Sequence, residues 1–196
     1  MIVVGAPGRY DSAALEISPL SGANAKMIGQ PNRGIGNMQK TRTNAIRLRD
    51  VTHDDLPRIY EMQLDLESNR LAVTIPRSAV AFDALWSKVL QDPNVTAKVI
   101  LVGEVLVGHI SCFKMDGLDS VGYWIDKAFW GKGIATQALQ LLLKAVASRP
   151  LYAQVATSNI ASLRVLQKCG FVVEQVHVAP ASDRYPECEV AVLLLS

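Results

Sequence analysis

The chain has 196 residues, 49% of them apolar and only 19% charged, with a formal net charge of +2. That length suits one domain with some excess, and the apolar fraction is ample for a substantial core. A balance this close to neutral, with no Lys/Arg block, argues against nucleic acid as a partner. The longest apolar run, Leu139 to Ala147, is broken by Gln140 and Lys144 and falls far short of a membrane span, so no membrane partner is expected. The opening MIVVGAP has no basic n-region and too short an apolar stretch for a secretory signal. Three cysteines, Cys112, Cys169 and Cys188, lack metal-type spacing. They read as reduced thiols of a cytoplasmic protein, with Cys112 and Cys169 packed in the core and no metal expected.

Residues 1–43 differ from the rest. They hold many of the glycines and small polar residues, as in SGANAK and GQPNRGIGN, and show no sustained period. A poorly structured extension is expected there, with Ile2 to Val4 at most adding a short edge strand. Met27 or Met38 is an alternative natural start. The compact domain is expected over 44–196, opening with the alternating strand AIRLR, Ala45 to Arg49.

Thr52 then reads as an N-cap with Asp55 three residues on, and Leu56, Ile59, Tyr60, Met62, Leu64 and Leu66 carry one helix to about Asn69. A second helix is predicted from Ser78 to about Gln91, with Val80, Phe82, Leu85, Trp86, Val89 and Leu90 facing inward. Val95 to Val102 and Val105 to Met115, separated by Gly103-Glu104, form a hairpin signature. After a turn at Asp116 to Asp119 comes the most informative stretch, VGYWIDKAFWGKGIAT, Val121 to Thr136.

Val121, Tyr123 and Ile125 alternate with Gly122, Trp124 and Asp126, as in a buried strand. Gly131 and Gly133 allow close backbone approach or positive φ, and from Ile134 a broad apolar stripe announces a long helix. A helix entered this way presents unpartnered N–H groups, suited to a phosphate or pyrophosphate. It is not a Walker A loop, nor the dinucleotide fingerprint, because Thr136 stands where the third glycine belongs. Leu151 to Thr157 is a strand, Asn159 to Cys169 a short helix ended by Gly170, and Phe171 to Val178 and Cys188 to Leu195 close the chain around APASDRYPE. The fold class is therefore mixed α/β: a mostly antiparallel sheet of about seven strands with helices on both faces.

Two motifs in this order resemble the GNAT superfamily of acetyl-CoA-dependent N-acyltransferases. GYWIDKAFWGKGIATQAL, Gly122 to Leu139, is similar to the family's pyrophosphate motif Q/R-x-x-G-x-G/A, with Trp130 in the Gln/Arg place and Ala135 in the terminal small position. NIASLRVLQKCGF, Asn159 to Phe171, is similar to its N-x-x-S-x-x-x-x-x-K-x-G-F helix. The details most resemble the Rim-type branch, the ribosomal-protein N-terminal acetyltransferases.

The resemblance implies acetyl-CoA as co-substrate, a primary amine (a protein or peptide N-terminus or a small amine) as acceptor, and a monomer or homodimer. Backbone N–H groups of Gly131, Lys132, Gly133, Ile134, Ala135 and Thr136 would hold the pyrophosphate. The main chain of Tyr123, Trp124 and Ile125 would align the pantetheine arm, and Asn159 and Ser162 would approach the cofactor from the following helix. The family's frequent tyrosine acid falls at Leu166, and its glutamate base near Ser120 with Asp119 beside it, so Asp119, Ser120 or His109 are the candidate proton acceptors, reached through water. Tyr185 is a further candidate acid, or packs a turn. A non-catalytic acyl-CoA-binding module and a phosphate-binding α/β protein of another kind stay open beside this reading. Substrate choice is expected from residues 69–77 and 179–187; Asp65, Glu67, Asp183 and Glu187 either attract a cationic amine or are merely solvated.

Overall fold

The computed structural model describes Ile2 to Val3, by their backbone, and residues 45–196. Expectations for the remaining residues of 1–44 lie outside the described part. The elements are β1 (Ile2–Val3), β2 (Ile46–Asp50), α1 (Leu56–Gln63), α2 (Leu66–Ala72), α3 (Ala79–Gln91), β3 (Thr96–Val102), β4 (Val105–Met115), β5 (Leu118–Ile125), α4 (Ile134–Ala145), β6 (Leu151–Ala156), α5 (Ile160–Lys168), β7 (Val172–Ala179) and β8 (Cys188–Leu195).

The sheet runs β2-β3-β4-β5-β6-β8-β7, with β1 on β5 off that path. All ladders are antiparallel except β5 with β6, which pair in parallel at Ser120 and Tyr152 alone. Two cores flank the sheet. On one face α4 and α5 close over Ile110, Tyr123, Ile125, Leu139, Leu142, Leu166 and Leu193. On the other, Ile59 and Met62 of α1 and Phe82 and Trp86 of α3 pack on Val99, Leu101 and Trp124. Tyr123 and Trp124 therefore sit in opposite cores, as strand alternation requires.

The helix expected to run unbroken from Thr52 to Asn69 is instead divided. A 3-10 turn at His53–Asp55 leads into α1, and the chain breaks at Leu64 and Asp65 before α2. Asp65 competes with helix continuation by accepting the Ser68 N–H at 2.7 Å, while Asn69 Nδ2 donates to the Gln63 and Asp65 carbonyls at 2.6 and 2.8 Å. The break turns Leu64 and Leu66 outward, 44% and 79% exposed. Val80 likewise points to solvent, because two residues before Phe82 is about 200° around the helix from the buried face.

Local devices pin the layer of α1 to α3. Asp55 accepts two hydrogen bonds from Arg49, both 2.8 Å, and two more from Thr52 N and Oγ1 at 2.8 and 2.9 Å. The Arg49 guanidinium, more than the opposing cost of burial, holds the Asp55 carboxyl down to about 2. Trp124 Nε1 donates to the Met62 carbonyl at 3.1 Å, satisfying an acceptor that the end of α1 leaves open.

Candidate functional site

Beyond Ser120, β5 and β6 separate, so the β5 backbone from Val121 to Ile125 has no β6 partner. A wedge opens there. The short strand β1 lies in it, pairing Ile2 with Trp124 and Val3 with Tyr123. The short edge strand expected at Ile2 to Val4 thus appears over Ile2–Val3, on the edge of β5 that β6 leaves.

Past Ile125 the chain makes a 3-10 turn, Lys127–Phe129, and reaches Gly131 and Gly133 at φ 73° and 74°. A Cβ on Gly131 would meet nothing within 4 Å, and one on Gly133 only Gln137 Nε2 at 3.8 Å. The glycines answer to backbone conformation and leave the space above them open. Gly133 is the N-cap of α4 and no side chain caps that end, so the first-turn amides of Ile134, Ala135 and Thr136 face outward with the positive end of the helix dipole. Lys132 turns away from this cradle: its Nζ donates to the Ala128 carbonyl at 3.0 Å and lies 4.9 Å from the Phe129 ring centre.

The tryptophans are structural ties. Trp124 is buried in the core under α1 and α3, and Trp130 Nε1 donates to the Ile125 carbonyl at 2.8 Å. That bond occupies one of the main-chain acceptors at the end of β5.

Asn159 caps α5, its Oδ1 accepting the Ser162 N–H at 3.2 Å, and both residues are fully buried. Ser162 lies beside the Tyr123 phenol, whose pKa burial raises and Ser162 partly restores. Leu166 is a core residue at 0% exposure. Cys169 Sγ donates to the Thr136 carbonyl at 3.7 Å, joining the end of α5 to the start of α4, and burial raises its pKa.

The proton-transfer candidates do not converge. Asp119 pairs with Lys114 at 2.8 Å and accepts a hydrogen bond from Ser148; these two partners lower its pKa. Ser120 is 1% exposed and donates to the Leu118 carbonyl at 3.2 Å. Both stand at the closed end of the wedge, about 20 Å of strand from Ile125. His109 is opposite Trp124 in the ladder and edge-on to the Trp86 ring at 5.5 Å. Burial, then the charge of Arg77, pushes His109 down to about 4. Burial also raises the Tyr185 phenol. Sequence reasoning did not single out Arg77 and Arg184: the loops that carry them are joined where Ile75 N–H donates to the Arg184 carbonyl at 2.8 Å, and the Arg77 charge acts on Arg184, Tyr185 and His109. Nothing in their local sequence signals that junction.

Among the described residues no helix is long and apolar enough to cross a membrane, and no group of three His, Cys, Asp or Glu could hold a metal.

An open mixed sheet, a wedge between two parallel neighbours and a glycine-entered helix beside it make up the site. The profile of the acetyltransferase (GNAT) domain matches residues 45–172, and the chain belongs to that family. Over 79 residues it is 35% identical to the probable N-acetyltransferase YjcK of Bacillus subtilis (strain 168). That match spans 36% of this chain and 44% of that protein, less than half its length. The spermidine N-acetyltransferase of Vibrio cholerae, solved with CoA and spermine, superposes with a TM-score of 0.64 at 19% identity, over 76% of this chain and 95% of that one. RimJ of Mycobacterium smegmatis, in complex with CoA-disulfide, gives 0.64 at 20% identity, over 79% and 83%. The acetyl transferase of Salmonella typhimurium that modifies the N-terminal serine of ribosomal protein L7/L12 gives 0.64 at 20% identity, over 76% and 94%. At these identities the likeness is one of fold.

Proposed function

We propose that this protein transfers an acetyl group from acetyl-CoA to a primary amine, of a protein N-terminus, a peptide or a small molecule, by direct attack. The observation that carries the reading is the junction of two features: an uncapped α4 entered through left-handed Gly133, and a β5 edge that β6 abandons after Ser120. The amides from Gly131 to Thr136 would cradle the pyrophosphate, and open space above both glycines fits such a group. The strand-like backbone at Tyr123 and Trp124 would pair with the pantetheine amides, in place of β1. Asn159, already a cap, would present its buried side chain toward the same wedge.

Acetyl-CoA supplies an activated acyl group; the amine forms the new C–N bond as the C–S bond breaks, and coenzyme A departs as a thiolate that takes up a proton from water to leave as the thiol. Of the main-chain N–H groups from Trp124 to Asp126, that of Asp126 is held by the Val107 carbonyl, so one at Trp124 or Ile125 would receive the charge that grows on the carbonyl oxygen. The acceptor amine must be neutral to attack, and its surplus proton would pass through water toward His109, Ser120 or Asp119.

A second reading is a non-catalytic acyl-CoA-binding module. It is favoured by one observation: Asp119 is tied to Lys114 and Ser148, and Ser120 is sealed at the closed end of the wedge. Calorimetric titration with coenzyme A, followed by thiol release with a panel of amines, separates the readings. Binding with release supports acetyl transfer, binding without release from any amine supports the module, and no binding defeats both.

A further inference from the structure

The residues of β5 from Val121 to Ile125 are all buried, along an edge that β6 leaves after Ser120. Main-chain N–H and C=O groups turned toward such an edge are costly to leave without partners. β1 supplies partners, Ile2 pairing with Trp124 and Val3 with Tyr123 in antiparallel register. The strand lies against β5, β6 and α2 together, so the wedge holds it with a helix alongside. That helix is itself fixed: Asp65 caps its first turn, and Glu67 pairs with Lys127, just past the end of β5.

The sequence makes β1 a short strand that can be displaced. Ile2, Val3 and Val4 are the only three consecutive β-branched residues within 1–43, and Gly5 and Pro7, poor strand residues, follow at once. Only Gly122 and Val121 separate Tyr123 from the point where β5 meets β6 at Ser120, so the wedge has no room for a long strand. A ladder of two residue pairs gains little over the entropy of ordering them. It is held by the same backbone groups of Tyr123 and Trp124 that the pantetheine amides would use.

Resting on the reading that coenzyme A lies along β5, we infer that this edge has two mutually exclusive occupants, the chain's own Ile2–Val3 strand and the cofactor. The N-terminal segment thereby restrains the protein. A partner that draws residues 1–43 away, or a protease that removes them, raises cofactor affinity without altering a site residue. With β1 seated in about half to four-fifths of the free molecules, apparent affinity for coenzyme A is lowered about two- to fivefold.

The full-length double variant Ile2→Pro/Val3→Pro tests this, because proline lacks the N–H that a ladder needs. Calorimetric titration should show it binding coenzyme A about two- to fivefold tighter than wild type. In thiol release the KM for acetyl-CoA should fall by the same factor with kcat unchanged. Ile2→Val/Val3→Ile keeps both donors and β-branched side chains and should match wild type, and far-UV circular dichroism checks the fold of both variants. Hydrogen exchange without ligand reads the strand directly: amides between Val121 and Ile125 should exchange faster in the proline variant than in wild type.

Equal or weaker coenzyme A binding by the proline variant overturns the inference and leaves the cofactor site standing. Equal exchange in wild type and variant overturns it as well. Binding by neither protein sinks the cofactor site along with it. Tighter binding by wild type on dilution of the protein would assign the strand to a second copy, against the inference.

Discussion

The carbonyl oxygen of Trp124 lies 2.2 Å from the point where a Cβ on Gly108 would stand. β4 is irregular here: Ile100 pairs with Gly108 and Leu101 with Leu106, so Val107 is an extra residue. The Val107 carbonyl accepts the Asp126 N–H at 2.8 Å. The glycine lets the end of β5 lie flat on β4, on the side opposite the edge that β6 leaves after Ser120. Gly108→Val should cost about 3 kcal/mol in urea unfolding, since a backbone oxygen cannot move aside as a flexible side chain would. An unchanged midpoint would show that the two strands separate freely.

Gly133 concerns the ligand more than the fold. With φ 74° and open space above it, Gly133→Val strains the backbone by about 1–2 kcal/mol and places two methyl groups over the α4 amides. Coenzyme A affinity should fall about 10-fold or more, while far-UV circular dichroism is retained. Equal affinity for variant and wild type would remove the cradle from the α4 end.

His109 gives a pH dependence with a definite sign. Its pKa is depressed from 6.5 to about 4, by burial first and by Arg77 second. The unfolded chain therefore binds more protons between those values, and the stability is fully present above 6.5 and is lost as pH falls through 4. The imidazole stands against the Trp86 ring and under the charge of Arg77, which opposes protonation. Unfolding free energy should drop by about 1 kcal/mol per pH unit across that window. His109→Gln should flatten that part of the profile, and an equal slope in wild type and variant would refute the assignment.

A chain beginning at Asn44 should keep the sheet, because β1 contributes only the pairs Ile2–Trp124 and Val3–Tyr123. Its melting temperature should stay within a few degrees of the full chain. Coenzyme A should bind roughly two- to fivefold tighter, since the edge at Tyr123 and Trp124 is vacated. Weaker binding would mean that β1 supports the wedge.

The strands were legible because β-branched alternation and two-residue turns are local signals. So was the glycine-entered α4, where Gly131, Gly133 and the apolar stripe from Ile134 stand next to one another in the chain. The division between α1 and α2 was not, because the stripe through Leu64 and Leu66 looks continuous until Asp65 and Asn69 claim the backbone groups. The role of the Trp124 side chain was not legible either, because only its bond to Met62, from a helix 62 residues away, ties it into the core. The bond from Ile75 to Arg184 joins loops more than a hundred residues apart, which no periodicity records.

The segment from Asp126 to Trp130 is held at both ends. Asp126 Oδ1 accepts the Ala128 N–H at 2.9 Å, Trp130 Nε1 holds the Ile125 carbonyl, and Arg58 of α1 grips the Asp126 carboxylate from outside. A loose connector of this length would have to be ordered each time a ligand arrived, at about 1–2 kcal/mol per residue. Here that entropy is surrendered once, during folding, so a diphosphate held as proposed would meet a socket already ordered. Its capture should be limited by diffusion and desolvation, with no slow ordering phase in rapid-mixing traces.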